Sequence, residues 1–279
     1  MKAGLIGHGI GQSLTPAMHE AEGRALGFDY TYQRFDTGEA LWSGMSLPDI
    51  LDHAEASGLA GVNITHPHKT EVGTYLDYLE GPALDLGTVN TVLFRDGKRV
   101  GHTTDYSGFR EAMRRTGVAL AGKPVAQFGA GGAGTATSLA LLDEGADLSI
   151  VDVDLSRAEA LVTRLNEVRP HAQVQAVSGS DIELQAVSGA VNATPLGMNS
   201  YPGMAFDPVD LPDDAWVADI VYFPMNTALL QAARARGLQA FNGGGMALYQ
   251  AVFAFELITG HTPDAERMAD CFARLSGQS

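Results

Sequence analysis

Short apolar runs alternate with amphipathic helical segments along the first hundred residues. Runs rich in apolar and β-branched residues predict strands, and apolar residues at helical spacing predict the helices between them. The predicted strands lie at 3–6, 30–35, 61–64, 88–94 and 99–102, and the predicted helices at 16–26, 48–56 and 69–79. This alternation is typical of parallel βαβ units. Asp96-Gly97 predicts a type I′ hairpin, which would add an antiparallel edge.

The same alternation resumes after a helix predicted at 106–116. Strands are predicted at 125–128, 148–151, 190–193 and 216–221, and helices at 133–142, 155–168, 246–259 and 263–275. The second half is thus a doubly wound pattern. We predict an α/β protein of two domains, an N-terminal α/β domain with a mostly parallel sheet and a Rossmann-type doubly wound nucleotide domain. The first spans 1–105 and is completed by C-terminal helices at 246–279, and the second spans 106–245.

A glycine-rich loop at 129–134, GAGGAG, follows a predicted strand and opens a predicted helix. Glycines at these positions allow a tight turn and let a pyrophosphate approach the backbone at a helix N-terminus. Asp152 ends the next strand about 20 residues on, where a ribose 2′-hydroxyl needs an acceptor. The loop therefore predicts a dinucleotide site, and the alternative is an ordinary glycine-rich loop of an α/β protein.

Composition narrows the class of protein. The 279 residues suffice for two domains, and 45% hydrophobic residues are normal for a globular enzyme. A formal net charge of −15 argues against nucleic acid and anionic membranes as partners. With a glycine-broken start and no membrane-spanning run, we expect a cytoplasmic monomer or homodimer. Cys271 is expected to be a buried structural thiol, and no metal-ligand spacing appears among the eight histidines.

Polar residues stand at positions where each has a chemical and an ordinary structural interpretation. Ser13 and Thr15 precede a helix, where two hydroxyls can hold a carboxylate, and Thr15 can equally cap the helix. Asn90 lies within an apolar strand and needs a partner if it is buried. Asp105 can cap the helix predicted from Tyr106. Taken singly, these residues establish no function.

A further cluster, Asn63, Thr65 and Lys69, follows a buried strand. The carboxyl ends of strands are where open α/β sheets bind ligands. Lys69 is predicted in the first turn of a helix, and the helix dipole there would lower the pKa of its ammonium group. A lysine with a lowered pKa is suited to proton exchange, and an ordinary solvated lysine is the alternative.

Taken together in order, these features resemble the shikimate/quinate dehydrogenase family over nearly the full length. Eight motifs carry the resemblance: Ser-Leu-Thr-Pro at 13–16, Asn-x-Thr-x-Pro-x-Lys at 63–69, Asn-Thr at 90–91, Thr-Asp-x-x-Gly-Phe at 104–109, the glycine loop, Asn-x-Thr-Pro-x-Gly-Met at 192–198, Asp-x-x-Tyr-x-Pro at 219–224 and Gly-Met-x-x-x-Gln at 245–250. The front domain would then bind the substrate and carry the catalytic residues.

The resemblance also implies roles for individual residues. Lys69 and Asp105 would form the catalytic dyad. The substrate contacts would be Ser13, Thr15, Asn63, Thr65, Asn90, Tyr222 and Gln250. The cofactor contacts would be Gly129, Ala130, Gly131, Gly132, Ala133, Gly134, Asp152, Arg157, Thr194, Met198, Val221, Gly245 and Met246. Alcohol oxidation needs a base for the hydroxyl proton while hydride leaves to nicotinamide, and either Lys69 alone or the pair can be that base.

Two departures from the biosynthetic enzymes point to a branch of the family. NADP-using members usually have Asn-Arg-Thr where this chain has Asp152-Val153-Asp154, so the arginine is absent and two carboxylates oppose a 2′-phosphate. Asp152, as the acceptor for a ribose diol, predicts NAD. Thr15 replaces a serine beside the ring carbon at which quinate and shikimate differ. The chain therefore resembles the NAD-dependent bacterial quinate/shikimate dehydrogenases, which act on a small cyclic hydroxy acid.

Three alternatives stay open at this point. The chain can be an NADP-dependent shikimate dehydrogenase of aromatic amino-acid biosynthesis, which a preference for NADPH would establish. It can be a non-catalytic relative that senses NAD or a cyclic acid, although Lys69 and Asp105 are both present. It can also act on another polyol, such as an aminoshikimate-type compound.

Overall fold

The computed structural model describes residues 1–277, which divide into two compact units. The first unit comprises residues 1–104 together with the described residues from 248 onward, and the second comprises residues 105–247. Both boundaries fall inside helices, so that a helix passes from one unit to the next at each of them. Each unit contains one six-stranded, mostly parallel sheet, which confirms the predicted α/β fold class.

The first unit is built on a sheet with the strand order β2-β1-β3-β5-β6-β4. Its strands are β1 Lys2–Gly7, β2 Thr31–Asp36, β3 Gly61–Ile64, β4 Tyr78–Leu79, β5 Thr91–Arg95 and β6 Lys98–His102. The helices in this part of the chain are α1 Thr15–Ala25, α2 Leu47–Ala56, α3 Pro82–Leu86 and the start of α4 Thr104–Thr116. Strands β1, β2 and β3 are parallel, so their carboxyl ends lie along one edge of the sheet. The loops that carry Ser13 and Thr65 leave from that edge.

The predicted hairpin is confirmed. Strands β5 and β6 pair antiparallel with Arg95 opposite Lys98, and Asp96 and Gly97 have φ values of 51° and 69°, as a type I′ turn requires. The predicted antiparallel edge is wrong in its placement. Strand β5 lies inside the sheet between β3 and β6, and Tyr78–Leu79 adds a further strand outside β6.

The helix predicted at 69–79 is also wrong. The chain there forms turns, a short 3₁₀ helix at Val72–Tyr75 and then β4. Apolar residues at 72, 75, 76 and 79 have helical spacing, but they reach the same hydrophobic core from the 3₁₀ helix and the strand. Asp77 fixes the extended path because its carboxylate accepts from the backbone N–H of Arg99 at 2.8 Å. Glycine at 73 further disfavours an α-helix.

The second unit contains a fully parallel sheet with the order β12-β11-β10-β7-β8-β9. Its strands are β7 Pro124–Phe128, β8 Asp147–Val151, β9 Val174–Ala176, β10 Gly189–Asn192, β11 Trp216–Asp219 and β12 Gln239–Phe241. Its complete helices are α5 Gly132–Asp143, α6 Leu155–Val168 and α7 Ala228–Ala235. The chain winds outward in both directions from the β7–β10 pair, which makes this pair the topological switch point. Sequence reasoning missed β9, β12 and α7, all of which are short.

The last two helices are α8 Gly244–Thr259 and α9 Ala265–Ser276, and the described residues from 248 onward belong to the first unit. Buried Glu22 of α1 accepts two hydrogen bonds of 2.7 Å from the guanidinium of Arg267 and one of 2.8 Å from the N–H of Asp264. These bonds fix α9 against α1. Cys271 is buried on α9, as predicted, where it packs as a small apolar side chain.

Candidate active site

The loop that carries Ser13 is organised by a buried carboxylate. Asp36 ends β2 and accepts hydrogen bonds from the backbone N–H groups of Gly9 and Ile10, both at 2.8 Å, and of Gly38 at 3.0 Å. Burial opposes the charged form of Asp36, but the three N–H donors outweigh it and lower the pKa of this carboxyl. Ile10 starts a 3₁₀ turn, and the Ser13 N–H donates to the Ile10 carbonyl at 3.0 Å. Asp36 thus sets the path of the chain into Ser13.

Thr15 is the first residue of α1, and the N-cap residue is Leu14. The prediction that Thr15 caps this helix is therefore wrong, because the helix begins one residue too early for its hydroxyl to act as the cap. Ser13 and Thr15 are both partly exposed. Arg34 of β2 donates to the Ser13 carbonyl at 3.3 Å, which brings a positive charge close to this pair of hydroxyls.

Lys69 lies in the turn after β3, so the prediction that it stands in the first turn of a helix is wrong. The Lys69 carbonyl accepts from the N–H of Val89 at 2.9 Å, which ties this turn to the segment that enters β5. Thr65 lies where the chain leaves β3, and its side chain packs onto the end of β1. A Cβ on Gly7 would come within 2.3 Å of the Thr65 Cγ2, so only glycine fits there.

Asn63 is buried, with 8% of its surface exposed, and every polar atom of its amide has a partner. Its Oδ1 accepts from the Tyr32 hydroxyl at 2.6 Å. Its Nδ2 donates to the Thr91 hydroxyl at 2.9 Å and to the Asn90 carbonyl at 3.3 Å. The backbone N–H of Ile64 also donates to that carbonyl, at 2.7 Å, so β3 is firmly joined to the residue that precedes β5.

Asn90 connects this strand to the start of α4. Its Oδ1 accepts from the Thr104 N–H at 2.7 Å and from the Thr91 hydroxyl at 3.1 Å, and its Nδ2 donates to the Thr104 hydroxyl at 3.0 Å. Asp105 is the next residue along the chain, lies in the first turn of α4 and is only 2% exposed. The predicted Asp105 cap is not formed, because α4 already begins at Thr104. Lys69, Asn90 and Thr104 are thus connected through consecutive backbone and side-chain bonds.

The glycine loop has the close packing that its sequence predicts. Gly129 has a φ of 106°, which favours glycine, and a Cβ on Gly134 would lie 2.1 Å from the Gly129 carbonyl oxygen. Gln127, at the end of β7, donates from its Nε2 to the carbonyls of Gly129 and Gly134, both at 2.9 Å. A Cβ on Gly132 would meet no atom within 4 Å, so the start of α5 is open on that side.

Asp152 directly follows β8 and is bound to the glycine loop. Its Oδ2 accepts from the N–H of Ala130 at 2.8 Å, and its Oδ1 accepts from the N–H of Asp154 at 3.1 Å. Arg157, one turn into α6, places its Nη1 3.7 Å from Asp152 Oδ1. Asp154 caps α6 by accepting from the Ser156 N–H at 3.1 Å. The Ser156 hydroxyl also donates to the Asp154 carboxylate, at 2.6 Å, and this hydrogen bond lowers the pKa of that carboxyl. The predicted pair of carboxylates is therefore present after β8, with one arginine beside it.

Two loops at the carboxyl ends of β10 and β11 share a buried network that sequence reasoning missed. Asp219 accepts from the Thr227 hydroxyl at 2.6 Å, from Asn192 Nδ2 at 2.9 Å and from the Val221 N–H at 3.0 Å. Asn192 Oδ1 in turn accepts from the N–H of Thr194 at 3.0 Å. Burial raises the pKa of the Asp219 carboxyl in spite of these donors. The sequence signal that could have revealed this network is that the motifs at 192–198 and 219–224 begin with Asn192 and Asp219.

Of the remaining predicted site residues, Thr194, Tyr222 and Gln250 are partly exposed, Val221 is buried, and Gly245 and Met246 lie at the start of α8. Burial raises the pKa of the Tyr222 hydroxyl, and the negative charge of Asp105 raises it further. Met198 is exposed, whereas Met246 is buried, and Gly245 approaches Ala112 so closely that a Cβ would lie 3.1 Å from it. The predicted residues of the first unit are Ser13, Thr15, Asn63, Thr65, Lys69, Asn90 and Gln250, and all the others belong to the second unit.

Residues 1–277 contain neither a metal-binding cluster of side chains nor a membrane-spanning helix. Within that part of the chain, no group of three or more histidine, cysteine, aspartate or glutamate residues is arranged to hold a metal ion. No helix over the same residues has the length and apolar surface needed to cross a membrane.

Comparison with known protein families supports the resemblance seen in the motifs. Residues 5–92 match the family model described as the shikimate dehydrogenase substrate binding domain. Residues 243–270 match the model described as the shikimate 5′-dehydrogenase C-terminal domain. Both matches lie in parts of the chain that carry the predicted substrate and cofactor residues.

Individual relatives match over almost the whole chain. The quinate/shikimate dehydrogenase (NAD(+)) of Corynebacterium glutamicum strain R is 45% identical over 98% of both chains. The shikimate dehydrogenase (NADP(+)) of Pseudarthrobacter chlorophenolicus is 43% identical over 98% of this chain and 94% of its own. A solved quinate dehydrogenase from Corynebacterium glutamicum in complex with NAD superposes with a TM-score of 0.92 at 45% identity, covering 98% of this chain and 99% of the other.

Proposed function

The chain belongs to the shikimate/quinate dehydrogenase family, and we propose that it is an NAD-dependent enzyme that interconverts quinate with 3-dehydroquinate and shikimate with 3-dehydroshikimate. The observation that carries this proposal is Asp152, which directly follows β8 and whose carboxylate accepts from the Ala130 N–H at 2.8 Å. In the dinucleotide fold, this is the position from which a carboxylate accepts the ribose hydroxyls of NAD. The second unit would bind NAD, and the first would bind the cyclic acid.

The glycine loop has the features that a dinucleotide requires. Gly129 and Gly134 allow the loop to close tightly, and the start of α5 is open at Gly132. Backbone N–H groups at a helix N-terminus attract a pyrophosphate through the helix dipole. Bound NAD would accept hydride at nicotinamide C4. We place Thr194, Met198, Val221, Gly245 and Met246 beside it as the resemblance implies.

Lys69 and Asp105 are proposed as the catalytic dyad. As the carbinol carbon of the substrate loses hydride, its hydroxyl must lose a proton, and the amine of Lys69 would take that proton. Asp105 would hold Lys69 in place and stabilise its charged form. The support is positional: Asp105 directly follows Thr104, which is bonded to Asn90, and the neighbouring Val89 is bonded to the Lys69 carbonyl.

Ser13 and Thr15 are proposed to hold the substrate carboxylate by hydroxyl hydrogen bonds. The nearby guanidinium of Arg34 makes this loop favourable for an anion in a chain of net charge −15. Asn63, Thr65, Asn90, Tyr222 and Gln250 would contact the ring hydroxyls. The proposed chemistry would use no metal ion, because Lys69 would take the hydroxyl proton directly.

The alternative function is that of an NADP-dependent shikimate dehydrogenase. The relative from Pseudarthrobacter chlorophenolicus keeps this alternative open, because 43% and 45% identity are too close to discriminate between the two cofactors. Asp152 argues against it. A 2′-phosphate charge at 4 Å from a carboxylate is repelled by about 4 kcal/mol at an effective dielectric near 20. Arg157, 3.7 Å from Asp152, offsets only part of that repulsion.

Replacement of Lys69 tests the proposed dyad. We expect Lys69→Ala to lower kcat for quinate oxidation by about 10²- to 10⁴-fold, because the proton acceptor is lost, while the Kd for NAD stays unchanged. Lys98→Ala is the matched control, since Lys98 belongs to the same unit and pairs with Asp77 at 2.7 Å. Turnover by Lys69→Ala at the rate of the Lys98 variant would refute the role of Lys69.

A further inference from the structure

Tyr32 contacts a proposed substrate residue from two strands away. In the sheet, β1 lies between β2 and β3, with Ala3 opposite both Tyr32 and Gly61. Strands are spaced about 4.8 Å apart, so a side chain on β2 must cross roughly 10 Å to reach β3. The Tyr32 ring spans β1, and its hydroxyl donates to Asn63 Oδ1 at 2.6 Å. Tyr32 is only 7% exposed, so this hydrogen bond is shielded from solvent.

The hydrogen bonds around Asn63 determine which way its amide faces. The backbone carbonyl of Asn90 can only accept, so the atom 3.3 Å from it must be the donor Nδ2. The second N–H of Nδ2 donates to the Thr91 hydroxyl at 2.9 Å, and that hydroxyl in turn donates a hydrogen bond to Asn90 Oδ1 at 3.1 Å. Oδ1 of Asn63 therefore faces Tyr32, which must be the donor. Burial raises the pKa of Tyr32 well above its usual value, so the phenol keeps its proton.

With both N–H groups engaged, Asn63 has only the second lone pair of Oδ1 to offer a ligand. We propose that Tyr32 is a positioning residue that holds Asn63 as a hydrogen-bond acceptor, so that Asn63 selects a ring hydroxyl that donates to it. This inference rests on the proposed function and adds a selectivity rule to it. A ring carbon that carries a hydroxyl is recognised, whereas one that carries hydrogen or a methoxy group cannot donate to Asn63.

Tyr30 supplies a matched control. It lies just before β2, is 6% exposed and belongs to the same aromatic cluster, with its ring centroid 6.5 Å from that of Tyr32. Its hydroxyl is 3.1 Å from Nδ1 of His19, whose Nε2 is 3.0 Å from the Ala251 carbonyl. Neither partner is a proposed site residue. Tyr30→Phe and Tyr32→Phe thus each remove one buried hydroxyl from the same cluster, but only Tyr32→Phe alters the Asn63 contact.

The test compares the two variants with the wild-type enzyme in steady-state oxidation of quinate and shikimate with NAD. A 3- to 10-fold change in KM corresponds to about 0.6–1.4 kcal/mol, which is the size of one neutral hydrogen bond. We expect Tyr32→Phe to raise the substrate KM about 3- to 10-fold, with kcat and the Kd for NAD changed less than about 2-fold. Tyr30→Phe should leave the KM within about 2-fold of wild type, even if its Tm falls as far as that of Tyr32→Phe.

Analogues of quinate that lack one ring hydroxyl at a time identify the contact. For the analogue that lacks the hydroxyl donating to Asn63, the KM of Tyr32→Phe should equal that of wild type. For every other analogue, the ratio of the Tyr32→Phe KM to the wild-type KM should be as large as it is for quinate. Equal KM values for Tyr30→Phe and Tyr32→Phe, or one ratio for all analogues, would overturn the inference. The analogues can also be assayed with the wild-type enzyme alone, so the selectivity rule for Asn63 is testable even if Tyr32→Phe fails to fold. Failure of wild type to oxidise either acid would instead refute the proposed function.

Discussion

Replacing Gly134 by alanine should weaken NAD binding by distorting the glycine loop. The new Cβ would lie 2.1 Å from the carbonyl oxygen of Gly129 and 2.9 Å from its carbonyl carbon. Comfortable contact needs about 3.5 Å, so α5 and the loop must separate by roughly 1 Å or more. The displaced carbonyl is also the one that accepts from Gln127 Nε2 at 2.9 Å, so this hydrogen bond would be strained as well.

Overpacking of this kind costs about 1–3 kcal/mol of the free energy of unfolding. For a chain of this size, 1 kcal/mol lowers the Tm by about 2–4 °C, so a cost near 2 kcal/mol corresponds to a fall of about 4–8 °C. The loop N–H groups must then rearrange to bind a pyrophosphate. If a rearrangement costs a further 1.4 kcal/mol on binding, the Kd for NAD rises about tenfold.

The assay is a titration with NAD followed by intrinsic fluorescence, alongside a thermal melt. Gly179→Ala is the control, since Gly179 is exposed in the same unit and a Cβ there meets only Val151 at an ordinary 3.9 Å. It should change neither the Kd nor the Tm. A Gly134→Ala protein with the wild-type Kd would refute the argument that this close approach shapes the NAD site.

The remaining predictions concern the cofactor preference and the response to acid. Asp152→Asn should lower the ratio of kcat/KM for NAD to kcat/KM for NADP, because it removes the charge that opposes a 2′-phosphate. Asp154→Asn, which keeps an acceptor for the N-cap bond to Ser156, should lower this ratio less. If Asp152→Asn left the ratio unchanged, other residues would determine the cofactor preference. Burial lowers the pKa of His19 from 6.5 to about 3, so its contribution to the free energy of unfolding is fully present above pH 6.5 and should fall by about 1.4 kcal/mol per pH unit between about pH 6.5 and 3. His19→Gln should lack this one-proton slope in urea titrations at several pH values, and equal slopes would contradict it.

The fold was largely predictable because periodicity and turn residues are local properties of the chain. The hairpin at Asp96-Gly97 and the strand–loop–helix at 125–142 need only a few neighbouring residues to specify them. The segment at 69–79 was not predictable in this way. Its apolar residues have helical spacing, but the hydrogen bond between Asp77 and Arg99, 22 residues apart, holds it in an extended path.

The candidate site divides in the same manner. Lys69, Asp105 and Asp152 stand in motifs that are recognisable in the sequence. The residues that hold other parts of the candidate site in place belong to no such motif. Asp36 bonds to the Gly9 N–H 27 residues away, and the hydroxyl of Tyr32 reaches Asn63 over 31 residues. Such pairs depend on the strand order, which puts β2, β1 and β3 side by side, and no local pattern encodes that order.

The central claim, NAD-dependent oxidation of quinate and shikimate, is tested most directly by four initial rates. Each acid is supplied with NAD and with NADP at fixed salt and pH, and the formation of reduced cofactor is followed. The account predicts activity on both acids with NAD and a much lower kcat/KM with NADP, because Asp152 opposes a 2′-phosphate. Activity confined to shikimate with NADP would contradict the account and assign the enzyme to biosynthesis.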